Sequence, residues 1–495
     1  MFFQRKSGVL LHPTSLPGPD GIGDLGPEIY HWLDFLAEAG CHLWQILPLG
    51  PTGYGDSPYQ CFSAFAGNPY LISSALLMEQ NILKRTDIAD RPDFPVHSID
   101  FGPVIEWKTT LLDRAYQNFS KNSQKNLVSN YNDFCESEKE WLFDFSLFMA
   151  IKENQGGVSW ENWPEALRNR SSEALRDFSN KNPGPIEKQK FRQFLFFEQW
   201  DRVRKYAALK NIQIIGDIPI FVSYDSADAW SHPELFYLNT QGKPTCVAGV
   251  PPDYFAPTGQ LWGNPLYRWD VHKKQGYSWW IKRIQAVLKV VDIIRLDHFR
   301  GFSGYWEIPA GMPTAEYGKW VKGPGSSIFK AFENEFPSLP LIAEDLGEIT
   351  ADVIRLRELF KLPGMKVFQF AFSTTPKDPF LPHNYPENCV AYTGTHDNDT
   401  SLGWYRTAPE QEKDLCRRYL GRSGDDISWD MIRAVWSSTA VFALTPLQDL
   451  LSLDQEGRMN FPGRPSGNWG WRFDASDLSE DLSRQIKEIN FLYDR

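Results

Sequence analysis

The hydrophobic residues of this chain are concentrated in short apolar runs that end in polar or turn-forming residues. Eight such runs occur, at residues 8–12, 43–47, 212–217, 292–297, 339–344, 366–370, 389–394 and 441–445. Their hydrophobicity is continuous rather than alternating, which indicates strands buried on both faces, as in a parallel sheet covered by helices. The sequence therefore predicts eight buried strands.

Amphipathic helical patterns lie between several of these runs. Residues 28–39, for example, place Ile29, Trp32, Leu33 and Leu36 on one stripe. Strands that alternate with helices are typical of α/β folds, and eight such strands suggest a (β/α)8 TIM barrel.

The spacing between the predicted strands is uneven, and two long gaps indicate insertions. The first gap, at about 52–211, reads as a largely helical subdomain. The second, 221–289, reads as substrate-binding loops and helices, because it is rich in Pro, Gly and aromatic residues. Only about fifty residues follow the eighth run, too few for a C-terminal β-sandwich domain. We predict a single catalytic barrel over 1–495 with large, mainly helical insertions.

The composition and the charge of the chain argue against several classes of function. The formal net charge is -11, which opposes the attraction to phosphates that drives nucleic-acid binding. The sequence contains no apolar run of about 18 residues and no N-terminal signal segment, so we expect no membrane association. The six cysteines are scattered, without zinc spacing. These features predict a cytoplasmic, soluble protein without a cofactor, and they leave its oligomeric state open.

Acidic residues end four of the predicted strands, where a barrel places its active site. They are Asp217, Asp297, Glu344 and Asp397, after the third, fourth, fifth and seventh runs. One such residue is usually a helix cap or a turn former, but several around one barrel mouth indicate chemistry. Glycosidic chemistry needs a carboxylate pair, one to attack or stabilise the anomeric carbon and one to donate a proton. The 19 Trp residues suit sugar binding as well.

Neighbouring residues suggest a role for each of three carboxylates. Arg295 lies on the same side of its strand as Asp297 and would keep it ionised, which favours Asp297 as the nucleophile. Glu344 has a longer arm and apolar residues behind it, which favours a raised pKa and an acid/base role. Asp397, beside His396, would bind sugar hydroxyls and favour a distorted ring as positive charge develops.

The residues alone leave other functions open. His298, His396, Asp397 and Asp399 are all metal-ligand types near one barrel mouth, so a metal-dependent barrel hydrolase is an alternative. An α-glucan hydrolase of the α-amylase type would use the same carboxylates and differ only in its loops. A sugar-binding protein without catalysis is a third alternative, although three strand-end carboxylates exceed what binding requires.

Motifs along nearly the whole chain resemble those of the amylomaltases, or 4-α-glucanotransferases, of glycoside hydrolase family 77. They are GVLLHPTS (8–15), GYGDSPY (53–59), GDIPI (216–220), GVPPDY (249–254), RLDHFRG (295–301), AEDLG (343–347) and TGTHDNDT (393–400). The RLDH segment by itself indicates only the wider α-amylase group. The GVPPDY loop, with GQLWGNP following it, is far more specific.

The resemblance implies transfer of α-1,4-glucan segments between donors and acceptors such as maltooligosaccharides, glucose, starch or glycogen. It implies a retaining double displacement with Asp297 as nucleophile, Glu344 as acid/base and Asp397 as the carboxylate that stabilises the transition state. It implies no metal or cofactor. Substrate-binding positions on this resemblance are Tyr54, Tyr59, Asp217, Tyr254, Phe255, Trp262, Arg295, His298 and His396, of which Tyr54 helps to form a second glucan site in some family members.

Overall fold

The strands of the chain form one parallel and one antiparallel sheet. The computed structural model describes residues 3–122, 124–252, 256–373 and 375–495. Its strands are β1 Lys6–Leu10, β2 Leu43–Gln45, β3 Gln213–Pro219, β4 Cys246–Val250, β5 Gln260–Pro265, β6 Ile293–Asp297, β7 Gly304–Pro309, β8 Lys319–Lys322, β9 Leu341–Ala343, β10 Gly364–Val367, β11 Cys389–Tyr392 and β12 Phe442–Pro446.

Helices occupy most of the chain between the strands. In the described ranges they are α1 Pro27–Glu38, α2 Ser74–Glu79, α3 Phe101–Asn122, α4 Lys125–Ser137, α5 Lys139–Asn154, α6 Glu165–Arg168, α7 Ser172–Lys181, α8 Pro183–Leu209, α9 Ala227–Ser231, α10 Trp269–Lys274, α11 Ser278–Leu288, α12 Arg300–Ser303, α13 Ser326–Glu335, α14 Ala351–Leu359, α15 Ser401–Thr407, α16 Glu410–Leu420, α17 Ile427–Trp436, α18 Leu447–Leu450 and α19 Glu480–Tyr493. None of the helices described is both long and apolar enough to cross a membrane.

Eight parallel strands form a nearly closed barrel, in the order β10, β11, β12, β1, β2, β3, β6 and β9. The two edges meet where the N–H of Ala343 in β9 donates to the carbonyl oxygen of Pro363, just before β10, at 2.9 Å. The prediction of a (β/α)8 barrel is therefore confirmed, and each predicted run overlaps one barrel strand. The sixth strand is displaced from the predicted run: it begins at Gly364 and ends at Val367, because residues 368–370 belong to a 3₁₀ turn after β10.

Alternate side chains of the barrel strands fill the barrel interior. This interior cluster includes Leu43, Ile215, Ile293, Ile342, Met365, Val390, Tyr392 and Leu444. Because side chains alternate with a period of two, Arg295 and Asp297 lie on the same side of β6 as Ile293. The same alternation places Asp217 on the side of Ile215 in β3. The apolar pattern of each strand thus determines which polar side chains reach the barrel mouth.

Helices α2 to α8 fill the first long gap, between β2 and β3. The second gap contains strands that the sequence pattern did not indicate. Here β4 and β5 pair antiparallel, and together with β7 and β8 they form a four-stranded sheet in the order β5, β4, β7, β8. The partners of β4 and β7 are distant in sequence, with Cys246 opposite Pro309. Local hydrophobic periodicity does not report such pairing, which explains why the sequence indicated only loops and helices in this gap.

Candidate active site

The three strand-end carboxylates meet at one mouth of the barrel. Asp297 ends β6, Glu344 directly follows β9, and Asp397 lies in the loop after β11. All barrel strands run in the same direction, so these three positions share the carboxyl edge of the sheet.

Arg295 connects two of the carboxylates at this mouth. Its Nη1 atom donates to Oδ2 of Asp217 at 2.8 Å and to Oδ1 of Asp297 at 2.9 Å. The parallel register places Asp217 of β3 beside Arg295 of β6, so neighbouring strands supply both partners. The hydroxyl of Tyr59 also donates to Oδ2 of Asp217, at 2.6 Å. Asp217, Tyr59 and Arg295 therefore form one buried hydrogen-bonded group beneath Asp297.

The pKa of Asp297 reflects two opposing effects. Burial raises this pKa to about 6, although the positive charge of Arg295 acts to lower it. The sequence predicted the contribution of Arg295 but not the larger effect of burial. Asp297 is consequently ionised near neutral pH, and 29% of its side chain remains exposed. An ionised, partly accessible carboxylate is suited to attack an electrophilic carbon.

Glu344 is held by two backbone N–H groups. The N–H of His298 donates to its Oε2 at 2.7 Å, and that of Leu346 donates to its Oε1 at 3.1 Å. His298 has a φ of +51°, a left-handed conformation that is uncommon outside glycine and that accompanies functional strain in many active sites. Burial, aided by the charge of Asp297, raises the pKa of Glu344 to about 8. Glu344 therefore carries a proton near neutral pH, as a general acid requires.

The pKa of Asp397 is shifted downward, in the opposite direction to the pKa values of Asp297 and Glu344. Desolvation in the groove acts to raise its pKa, but His396 and the hydrogen bonds from His396 and Asn460 outweigh this effect and hold the pKa below its usual range. Nε2 of His396 lies 3.3 Å from Oδ2 of Asp397. Asp397 thus stays negatively charged where positive charge on a sugar ring would need support.

An open groove of about 1080 Å³ runs over the mouth. The ring of Tyr59 stacks on His396 with a centroid distance of 5.2 Å, and Trp469 lies 5.9 Å from Tyr59. On the other side Trp262 meets His298 edge to face at 4.9 Å. These rings give the groove apolar walls beside its carboxylates.

The outcome differs for the three remaining predicted binding residues. Tyr54 lines the outer part of the groove and is 79% exposed. Tyr254 and Phe255 lie outside the described residues. The structure thus brings Tyr59, Asp217, Arg295, His298 and His396 together with Trp262 at the barrel mouth, and Tyr54 lies in an exposed part of the groove.

The alternative set of metal-ligand residues does not form a compact cluster. His396 contacts Asp397, whereas Asp399 accepts a hydrogen bond from Gln455 at 3.2 Å and lies 3.6 Å from Arg458. Within the ranges that the structure describes, no group of three or more His, Cys, Asp or Glu side chains is arranged to hold a metal ion.

Sequence reasoning missed the contribution of the segment after the eighth barrel strand. Nδ2 of Asn460 donates to Oδ1 of Asp397 at 2.6 Å, and Arg458 donates to the Asp397 carbonyl oxygen at 3.0 Å. Phe461, Asn468 and Trp469 line the groove. Two features of the sequence could have indicated this contribution. Residues 460–469 are rich in Gly, Pro and Asn, which is typical of a loop, and a loop that follows the eighth strand of a barrel lies at the active-site end.

Replacing Asn460 by Ala should lower kcat by about tenfold, because it removes a hydrogen bond to the charged Asp397 and such bonds are among the stronger ones. Asn468→Ala is the matched control, since Asn468 holds the same loop through Phe461 and Arg464 without contacting Asp397. Steady-state kinetics measure both variants. An equal loss in the two would attribute the effect to loop order rather than to the contact with Asp397.

Known proteins resemble this chain over nearly its full length. A family model described as 4-alpha-glucanotransferase matches residues 11–477. The 4-alpha-glucanotransferase of Thermus thermophilus is 50% identical over 497 aligned positions, which cover 99% of each chain. That of Synechocystis sp. is 46% identical and covers 100% of this chain and 99% of its own length.

Solved structures show the same similarity. The amylomaltase from Streptococcus agalactiae in complex with acarbose superposes with a TM-score of 0.97 at 41% sequence identity, covering 99% of this chain and 100% of that one. The amylomaltase from Corynebacterium glutamicum, at 20% identity and a TM-score of 0.78, shares the fold.

Proposed function

Because the chain belongs to the 4-alpha-glucanotransferase family, we propose that its barrel-mouth carboxylates transfer α-1,4-glucan segments by a retaining double displacement. The chain is a 4-alpha-glucanotransferase. The proposal concerns how its residues carry out this reaction. Its main support is the placement of Asp297 and Glu344 at the ends of the neighbouring strands β6 and β9, where burial raises the pKa of both and raises that of Glu344 further, as an ionised nucleophile and a protonated acid require.

In the first step a carboxylate oxygen of Asp297 attacks the anomeric carbon of the donor. Glu344 gives its proton to the glycosidic oxygen, the bond between that oxygen and the anomeric carbon breaks, and the leaving glucan departs. The product is a glycosyl ester of Asp297, and Glu344 is now a carboxylate.

In the second step the 4-hydroxyl of an acceptor sugar attacks the same carbon. Glu344 takes the hydroxyl proton, the ester bond to Asp297 breaks, and the new α-1,4 linkage restores both carboxyl groups to their starting states. Two inversions give net retention. Asp397, held negative by His396 and Asn460, supports the positive charge that develops on the sugar in each step.

Four polar atoms around the mouth favour a hydroxylated ligand. Nδ1 of His12, Oδ1 of Asp217, Nε2 of His298 and Nδ1 of His396 are buried and have no hydrogen-bond partner in the described part of the chain. Buried polar groups are nearly always paired, so sugar hydroxyls or ordered water are the expected partners. On this basis we assign Asp217, His298 and His396 to the donor side, together with Tyr59 and Arg295, which hydrogen-bond Asp217.

Incubation with maltotriose alone tests the reaction. Transfer produces glucose and a ladder of longer maltooligosaccharides, which chromatography separates. Accumulation of glucose and maltose without longer products would instead identify an α-glucan hydrolase that uses the same carboxylates.

The physiological setting is part of the proposal. We propose that donors and acceptors are maltooligosaccharides, glucose and segments of starch or glycogen, with Tyr54 contacting glucan at the groove rim. A cytoplasmic location is supported by the six cysteines, all of which are free thiols. We also propose that 1–495 acts as one catalytic barrel with insertions.

Replacing Trp262 by Ala should raise the ratio of hydrolysis to transfer by roughly three- to tenfold, because its ring forms an apolar wall that favours a sugar over water. Leu261→Ala is the matched control, since this adjacent residue of β5 is 44% exposed and points to the opposite face. Quantifying free glucose against longer products from maltotriose gives the ratio. An unchanged ratio in Trp262→Ala would remove this residue from acceptor selection.

A further inference from the structure

A second cleft lies away from the catalytic groove, between the helical insertion and the barrel. It encloses about 1200 Å³, is open to solvent, and is bordered by α5, α9 and α11. None of the residues that line it lines the catalytic groove. The cavity proper measures about 350 Å³, which lies within the 300–1,000 Å³ or so of typical ligand sites, so the cleft has room for part of a bound oligosaccharide.

Aromatic rings line part of this cleft. Trp141 and Phe65, both half-buried, lie nearly parallel with ring centroids 6.4 Å apart, and Phe65 meets Trp279 edge to face at 6.0 Å. Trp141 also donates from its Nε1 to Glu138 at 2.8 Å, which fixes the orientation of the ring. The fixed, partly exposed indole ring of Trp141 offers a surface for the apolar face of a sugar at small entropic cost.

The acidic groups around the cleft already have hydrogen-bond or ion-pair partners within the protein. Its acidic side chains each have a partner: Glu138 with Lys289 (2.6 Å), Glu140 with Lys282 (2.8 Å), Asp144 with Arg170 (2.7 Å), Asp228 with the N–H of Ala64 (2.7 Å) and Glu234 with His232 (3.5 Å). A charged ligand would compete with these pairs and gain little. Polar side chains such as Ser231, Gln275 and Ser278 also line the cleft and can exchange hydrogen bonds with hydroxyl groups.

We propose that this cleft binds a segment of a long α-1,4-glucan at a distance from the reacting sugars. A neutral, polyhydroxylated chain with apolar faces matches the aromatic walls, the acidic side chains that already have partners, and the polar side chains of the cleft. The inference rests on the glucan-transfer function for the identity of the sugar. The loop between β2 and α2 supplies Tyr59 to the catalytic mouth and Ser63 and Phe65 to the cleft, so the same loop borders both sites.

Affinity electrophoresis in gels that contain glycogen tests the proposal. Trp141→Ala should weaken retention so that the apparent Kd for glycogen rises about five- to tenfold, the effect of losing one stacking aromatic ring. Ser231→Trp, which places a bulky ring in the cleft where a small hydroxyl side chain stood, should weaken retention similarly. Phe143→Ala is the matched control, because Phe143 is 46% exposed on the same helix but does not line the cleft.

Maltotriose disproportionation separates binding from structural damage, since such a short substrate does not need the remote cleft. All three variants should keep the wild-type rate within about twofold. Unchanged glycogen retention in Trp141→Ala and Ser231→Trp would overturn the proposal. Equal losses with glycogen and maltotriose would also overturn it and make Trp141 a structural residue. Absence of a ladder with the wild-type protein would instead refute glucan transfer, a result distinct from either.

Discussion

Asp297→Asn should abolish transfer, with a fall in kcat on the order of 10⁴- to 10⁶-fold, the range seen when an enzyme loses a group essential to nucleophilic attack. An amide lacks the negative charge that attacks the anomeric carbon. Arg295 and Asp217 remain paired in the variant, because Nη1 of Arg295 keeps its contact with Asp217. The Asp297→Asn variant should therefore still bind maltooligosaccharides, although it no longer catalyses the transfer.

Trapping with a slow fluorinated donor gives the direct measurement. Mass spectrometry of the wild-type protein should find the sugar attached to a peptide containing Asp297, and the Asn variant should yield no adduct. Asp399→Asn serves as control, because the Asp399 carboxylate contacts Gln455 and lies near Arg458 instead of facing Arg295. This control should still be labelled at Asp297. An adduct on another residue of the Asn variant would assign the nucleophile elsewhere.

Glu344→Gln should cost roughly 10²- to 10⁴-fold in kcat/KM with maltotriose, the usual contribution of general acid and base catalysis. Glutamine keeps the size of the side chain but has no proton to give to the leaving oxygen. With a donor whose leaving group needs no protonation, the first step should lose much less. Equal losses with the two donors would argue against an acid role.

The pH profile gives an independent test of the same assignment. Asp297 must be ionised, so activity should rise as pH passes its pKa of about 6. Glu344 must be protonated, so activity should fall as pH passes its pKa of about 8. The wild-type profile of kcat/KM should be bell-shaped, and Glu344→Gln should lose the alkaline limb. Glu348→Gln, an exposed residue on the same loop, should keep both limbs.

The eight barrel strands could be predicted because each is buried on both faces and leaves a continuous apolar run. The strand-end carboxylates followed from the same pattern. Period-two alternation also predicted that Arg295 and Asp297 share one side of β6, and they do, with an N–O distance of 2.9 Å. These features depend only on residues within one strand, so they can be predicted from a short stretch of sequence.

The antiparallel sheet and the groove wall from 458–469 could not be predicted in this way. Strand β4 pairs with β7 across a long stretch of chain, and Asn460 reaches Asp397 from a loop that follows the last barrel strand. Neither contact leaves a periodic signal, because in each case the two partners are far apart in the sequence and meet only in the folded chain. The remote cleft at Trp141 likewise depends on how the helical insertion packs against the barrel.

The sequence by itself determined the barrel, the order of its strands along the chain and the identity of the acidic residues at its mouth. Neighbouring residues in the sequence suggested how those acids differ, and the tertiary structure decided the direction and size of each pKa shift. Burial and one arginine set the pKa of Asp297 near 6, burial with a neighbouring charge sets that of Glu344 near 8, and His396 with Asn460 keeps Asp397 negative. A pKa depends on solvent exclusion and on charges from several distant segments, so three similar carboxyl groups acquire different states only after folding.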